Sequence, residues 1–171
     1  DVYKKNVVTV ETEGKKVGQI NGLAVMGSFG VPMRITIVDS VAAGPGGVVS
    51  IDRSASPDLT GPTFNKALGV TDGFLQNLFA RDASLGVRIS LSYEQNYGGI
   101  DGDSATSTQM YGILSALSGV AIGQNFAMTG SADQFGNVQA IGGVNEKIEG
   151  FYELVKSRGF TGDQGVLIPK T

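Results

Sequence analysis

Two side chains stand out for what they could do together. Ser104 lies in "YGGIDGDSATSTQMYGILSALSG" (97–119), where a glycine-rich, acidic loop meets an apolar helix. Lys147 lies in "GGVNEKIEGFYELVKS" (142–157). The chain contains no histidine and no cysteine, so a reactive serine would need a base other than imidazole.

Two readings of Ser104 stand on position alone. As a helix N-cap, its hydroxyl would accept a hydrogen bond from a free N–H of the first turn. As a nucleophile, it would sit where Gly98, Gly99 and Gly102 let backbone and substrate approach closely. The helix start would then supply the unpaired N–H groups and partial positive charge that an oxyanion needs.

Lys147 is more informative. At about 100° per residue, Val144, Ile148, Phe151, Leu154 and Val155 fall within an arc of roughly 120° on a helix over 144–157. Lys147 projects into that arc, whereas Glu146, Glu149, Glu153 and Lys156 fall outside it. Snorkelling from the stripe's edge, or pairing with a carboxylate, would each explain such a lysine. A third reading is chemical, because desolvation disfavours the ammonium form. A fall from ~10.4 to ~7.5 takes ~3 units, or ~4 kcal/mol. A neutral amine within ~3 Å of a serine hydroxyl can act as general base and then as general acid to a leaving amine.

The remaining polar motifs exclude more than they offer. "DGDSAT" (101–106) fails as a calcium loop, because Ala105 and Thr106 occupy its fifth and sixth positions. Glu94 ends a strand near the loop, where it is either a solvated strand end or a group that orients the site. "GPGGVVS" lacks the lysine of a phosphate loop and "GPTFNK" lacks its preceding glycine. "GNVQAIGG" has the wrong glycine spacing for a dinucleotide site. The absence of cysteine and histidine removes disulfides and the usual zinc ligands. A net charge of −3 with scattered Lys and Arg argues against a nucleic-acid surface.

The elements that must position the two groups follow from periodicity. The length of 171 residues and the 41% hydrophobic content suit one domain with a real core. Strands are expected at 17–25, 34–41, 47–53 and 84–94. In the last of these Val87, Ile89, Leu91 and Tyr93 alternate with polar residues. A helix is expected from about Phe64 to Ala80, with Leu68, Leu75, Leu78 and Phe79 on its apolar side. A second runs over 104–118, with Met110, Ile113, Leu114 and Leu117 on one face and Gly119 as its stop. "NFAMTGSA" and "NVQAIGG" read as strands joined by "DQFGN", and "GVLIP" (165–169) as a last strand. Together these predict an α+β fold of mixed sheets packed with helices. The apolar runs are too short to span a bilayer.

At this point the residues resemble a known family. "YGGIDGDSATS", "MTGSADQFGNVQAIGGVNEKIEGF" and "GDQGVLIP" together look like the proteolytic domain of Lon proteases. The LonB-type branch, with "GDSA", is the nearer pattern. The likeness runs over nearly all of 1–171, with both motifs in family order. It implies the α+β fold that this domain shares with a ribosomal-protein domain. It also implies that Ser104 is the nucleophile and Lys147 the general base of a Ser–Lys dyad, with Thr129 helping to hold the lysine. Glu94 and Asp101 match acidic positions near the site. The backbone of Gly102, Asp103 and Ser104 would form the oxyanion hole.

One departure is Asn65, where the family pattern has histidine. The resemblance further implies unfolded polypeptide substrates, a six-membered ring and an N-terminal AAA+ ATPase outside this chain. ATP and Mg²⁺ would act there, and no cofactor or metal is expected in this domain. The full protein would be cytoplasmic, or tethered to a membrane through its ATPase part. Two other readings are a ring-forming scaffold of the same fold without the chemistry, and a Ser–Lys amidase or self-processing protease on another fold.

Overall fold

A computed structural model describes residues 10–41, 49–52, 62–79, 87–93 and 103–170. Its strands are β1 (Lys15–Lys16), β2 (Gln19–Met26), β3 (Phe29–Val41), β4 (Val49–Asp52), β5 (Val87–Tyr93), β6 (Ile122–Gly123), β7 (Phe126–Met128), β8 (Ser131–Ala132), β9 (Val138–Gln139) and β10 (Gly165–Leu167). Its helices are α1 (Pro62–Phe79), α2 (Thr106–Ser118) and α3 (Val144–Arg158). Six strands form a mixed sheet in the order β10-β7-β2-β3-β5-β4, and β1–β6 and β8–β9 make two small antiparallel ribbons. The fold is α+β, as expected.

A hairpin organises the sheet. β2 and β3 pair antiparallel from Gln19↔Thr36 to Met26↔Phe29. The two-residue connection begins at Gly27 with φ of 62°, the left-handed geometry that tight hairpin turns require. β3 starts five residues before the predicted strand. Gly30 and Pro32 hide its start from propensity, yet both are tolerable there. The described pairing of β5 with β3 reaches only Ile35↔Tyr93, so Pro32 sits where β3 has β2 alone as a described ladder partner.

Alternation along β2 sends side chains two ways. Ile20 and Gly22 face α2: a Cβ at Gly22 would touch Thr108, and one at Gly112 would touch Ile20. Leu23 joins Ala127, Phe151 and Val155 in a cluster with α3. The larger cluster is Ile37, Leu68, Leu75, Ile89, Leu91 and Ile113, joining the sheet to α1 and α2. Fully burying one such side chain stabilises by about 1.5–3 kcal/mol. Leu78, expected on the apolar side of α1, is half exposed, and Asn65 is exposed on the same helix.

Helix α2 departs from the simple amphipathic picture. It begins at Thr106, two residues later than the pattern suggests, and Gly119 ends it in the left-handed conformation. Met110 and Ile113 are buried, but so are Thr106, Ser107, Thr108, Gln109, Gly112 and Ser115. The reason is that α2 is covered on several sides, touching β2, β3, α1 and β8. Its polar side chains are satisfied there. Thr71 Oγ1 donates to Gln109 Oε1 at 2.8 Å, and Gln109 Nε2 donates to Tyr93 Oη at 2.8 Å. Ser115 Oγ donates to the Val120 carbonyl at 2.5 Å.

"NFAMTGSA" also differs: it forms two strands rather than one, broken at Thr129–Gly130. Thr129 N still donates to Leu167 O of β10 at 3.1 Å, but Gly130 N turns to Ser104 O at 2.8 Å. The chain leaves the sheet there to bond the start of α2.

Helix α3 lies on β3 by main-chain contact. A Cβ at Gly30 would collide with the Glu146 carbonyl and crowd the Lys147 Cα, and one at Gly150 would collide with the Gly30 carbonyl. Neither neighbour is a flexible side-chain tip. Gly30→Ala and Gly150→Ala should therefore each force α3 off the hairpin. Each should lower stability by at least the ~1–3 kcal/mol of an overpacked site, measured by chemical denaturation. An alanine variant as stable as the parent would show that the helix has slack at this crossing.

Candidate active site

The turn before α2 fixes Ser104. Thr106 sends both its backbone N–H (3.1 Å) and its hydroxyl (2.6 Å) to the Asp103 carbonyl, tightening the chain around Ser104 and Ala105. The N-cap residue is Ala105, and no side chain caps the helix. The capping reading of Ser104 is thus not realised. Its hydroxyl turns instead to Lys147, with Nζ 3.0 Å from Oγ.

Lys147 reaches that position from the first turn of α3. The residues of α3 that are buried are Lys147, Gly150, Phe151, Leu154 and Val155. They span an arc of roughly 140°, and Lys147 lies near its middle. Ile148, placed by periodicity in the apolar stripe, is 36% exposed. The stripe is rotated toward Gly150, because the close approach to Gly30 needs a residue without a side chain there. Lys147 is 3% exposed. Snorkelling is therefore excluded, and among the described residues no carboxylate forms an ion pair with it. Burial pulls its amine below the ordinary lysine value of 10.5, opposed in part by the negative charge of Asp103.

Thr129 completes the cluster. It is buried, and Lys147 Nζ donates to its hydroxyl at 3.4 Å. That hydroxyl also lies 3.4 Å from the Ser104 carbonyl, to which it donates. Strand β7 delivers Thr129, α2 delivers Ser104 and α3 delivers Lys147, so three separate elements converge on one amine. Of the other residues expected here, Asp103 lies in the turn beside Ser104 and is half-buried. Glu94, Asp101 and Gly102 fall outside the described residues.

Some contributors are not legible from residue type. Ser107 donates to the Gly130 carbonyl through its backbone N–H (3.1 Å) and its hydroxyl (2.8 Å). Gly30 and Gly150 set the height of α3 over the hairpin. A serine among "SATST" and two isolated glycines carry no chemical signature. Only the pairing of β2 with β3 and the path of α3 bring them near the site.

In a neutral amine the direction of the 3.0 Å bond reverses. The serine O–H then donates to Nζ, and proton transfer leaves an alkoxide beside an ammonium. Both the distance and the burial of the amine suit general-base activation of an alcohol.

Comparison with known proteins identifies the domain. Residues 86–160 match the model of the Lon protease C-terminal proteolytic domain. Over 175 residues, 99% of the chain, it is 40% identical to a Lon protease homolog of Escherichia coli (strain K12). It is 43% identical over 96% of its length to a Lon protease homolog of Haemophilus influenzae. With the archaeal Lon protease of Methanocaldococcus jannaschii it shares 34% identity over 98% of its length. It spans only 29%, 28% and 25% of those relatives' own lengths. Matched by that domain model and aligned nearly end to end with these proteins, the chain belongs to the Lon protease family by way of its C-terminal proteolytic domain.

Proposed function

We propose that this chain is a serine endopeptidase domain in which Ser104 and Lys147 form a catalytic dyad. One observation carries the reading: a buried amine without a carboxylate partner among the described residues, 3.0 Å from a serine hydroxyl. Ser104 Oγ attacks the peptide carbonyl while Lys147 Nζ takes its proton. The tetrahedral oxyanion is held by backbone N–H groups that we assign to Gly102, Asp103 and Ser104. Lys147 then protonates the departing amine, and an acyl-enzyme on Ser104 remains. Water, deprotonated by Lys147, releases the acid. Thr129 keeps the amine aimed at Ser104, and we assign Glu94 and Asp101 to ordering the surrounding loop.

For the whole protein we propose unfolded polypeptide as substrate and a six-membered ring as assembly, in the cytoplasm or facing it from a membrane. ATP and Mg²⁺ use is assigned to an AAA+ module outside this chain, since neither glycine-rich stretch has the pattern of a phosphate loop.

Replacing Ser104 with Ala, or Lys147 with Met, should lower cleavage of casein by the full-length protein by about 10³-fold or more. Activity unchanged in Ser104→Ala would remove the proposal and leave a scaffold role.

The pH dependence has a definite sign. Because burial holds the amine below its ordinary value, the fraction of neutral base at neutral pH exceeds that of a solvated lysine. The acid limb of kcat/KM should therefore lie below 10.5. Asp103→Asn removes a charge that favours the ammonium, and should move that limb lower still. A limb that moves up in Asp103→Asn would contradict the electrostatics.

The same shift bears on stability. The unfolded chain binds the lysine proton more tightly than the folded one, so folding is penalised as pH falls from above 10.5 through the amine's lowered value. Lys147→Met removes that penalty. It should raise the melting temperature at neutral pH by a few degrees while abolishing activity. A melting temperature lower than the parent's would show that the lysine contributes more to the fold than its burial costs.

A further inference from the structure

We propose that Ser107 is a positioning residue for the Ser104–Lys147 pair: its buried hydroxyl pins the Thr129–Gly130 link to the start of α2 and so keeps the Thr129 hydroxyl within reach of Lys147. The inference rests on the dyad reading above and adds a residue that lies outside both motifs' chemistry.

A serine in the first turn of a helix ordinarily caps or bonds back to its own helix. Ser107 does neither. It is 2% exposed, and its hydroxyl donates to Gly130 O at 2.8 Å, alongside its own backbone N–H at 3.1 Å. Gly130 returns a bond in the other direction, from its N–H to Ser104 O at 2.8 Å. Both polar groups of Gly130 are therefore tied to the turn that carries Ser104. The approach is close: a Cβ at Gly130 would come within 3.0 Å of Ser107 Oγ. Thr129, one residue before, is the one whose hydroxyl faces both Lys147 Nζ and Ser104 O, each at 3.4 Å. Those two bonds are long, so a small drift of the link would break them. The Ser107 hydroxyl resists that drift, and among the described residues its hydrogen bond goes to Gly130 rather than to the Lys147 or Ser104 side chain.

Ser107→Ala is a clean probe. The Gly130 carbonyl keeps the Ser107 N–H, so no buried group is orphaned and the variant should fold. In the full-length protein, with casein-derived peptides as substrate, kcat should fall about tenfold, the effect of losing about one hydrogen bond's worth of positioning. KM should stay within about twofold of the parent, since a group that acts only on the base leaves substrate binding intact. The acid limb of the pH–rate profile should shift, because Lys147 loses a fixed hydroxyl neighbour. On a Thr129→Ala background the same change should cost less than about twofold, since Ser107 would have nothing left to position.

Full loss on that background, or parental kcat with a parental pH profile in Ser107→Ala, would overturn the proposal. A loss in kcat with an unmoved pH profile and a lowered melting temperature would also overturn it, assigning Ser107 to the fold alone. Ser104→Ala serves as the control that separates the two levels. If it abolishes cleavage while Ser107→Ala changes nothing, only the positioning role is lost. If it leaves cleavage intact, the dyad and the positioning role fall together.

Discussion

The structure turns on keeping one amine out of water. Lys147 is buried among Gly150, Phe151, Leu154 and Val155 on α3, where a solvated lysine head would ordinarily reach the surface. A charged ammonium in such a place is expensive unless paired, and among the described residues only oxygen atoms of Ser104 and Thr129 lie within hydrogen-bonding distance. Two hydroxyls satisfy a neutral amine far better than an ammonium. Burial and the choice of partners thus push in the same direction, toward an uncharged nitrogen facing an alcohol. The charge of Asp103 pushes the other way, which leaves the balance adjustable at a single position.

That arrangement survives only if the three elements hold their spacing. Side-chain packing alone would let a helix shift by fractions of an ångström. Here α3 meets β3 through Gly30 and Gly150, main chain against main chain, a contact with little compliance. On the other side, Gly130 is bonded in both directions to the turn before α2. Rigid backbone contacts on either flank leave the lysine side chain as the flexible part, and its own burial restrains that. Asn21 provides a third tie, donating from Nδ2 to the carbonyls of Glu11, Gln124 and Phe126 at 2.8, 2.9 and 3.3 Å. It anchors the beginning of β7, and hence of Thr129, to β2.

Much of this was legible in the chain, for reasons that differ by element. α3 declared itself through periodicity, and the same periodicity singled out Lys147, because one charge in an apolar arc is a local fact. β5 followed from alternation. Other features depend on contacts distant in sequence. Ile148 looked apolar-facing and is exposed, since Gly150 rather than Ile148 determines which side of α3 meets the hairpin. Helix α2 looked amphipathic, yet two threonines, two serines and a glutamine are buried on it, because the sheet, α1 and β8 pack against several of its sides. The split of "NFAMTGSA" was equally invisible: a lone glycine after a threonine does not say where a strand ends, and the bonds of Gly130 to Ser104 and Ser107 draw the chain away.

The composition fits the same logic. A histidine base has an unperturbed pKa near neutrality, and so needs little shift from its surroundings. A lysine base depends on the fold, because its pKa must be brought down by burial or by a neighbouring positive charge; for Lys147 the cause is burial. In the unfolded chain Lys147 is an ordinary ammonium and Ser104 an ordinary alcohol. In the proposed dyad, this requirement couples hydrolytic reactivity to folding. On the dyad proposed above, a local opening that admits water to Nζ reverses the lowering of its pKa and so favours the ammonium over the base.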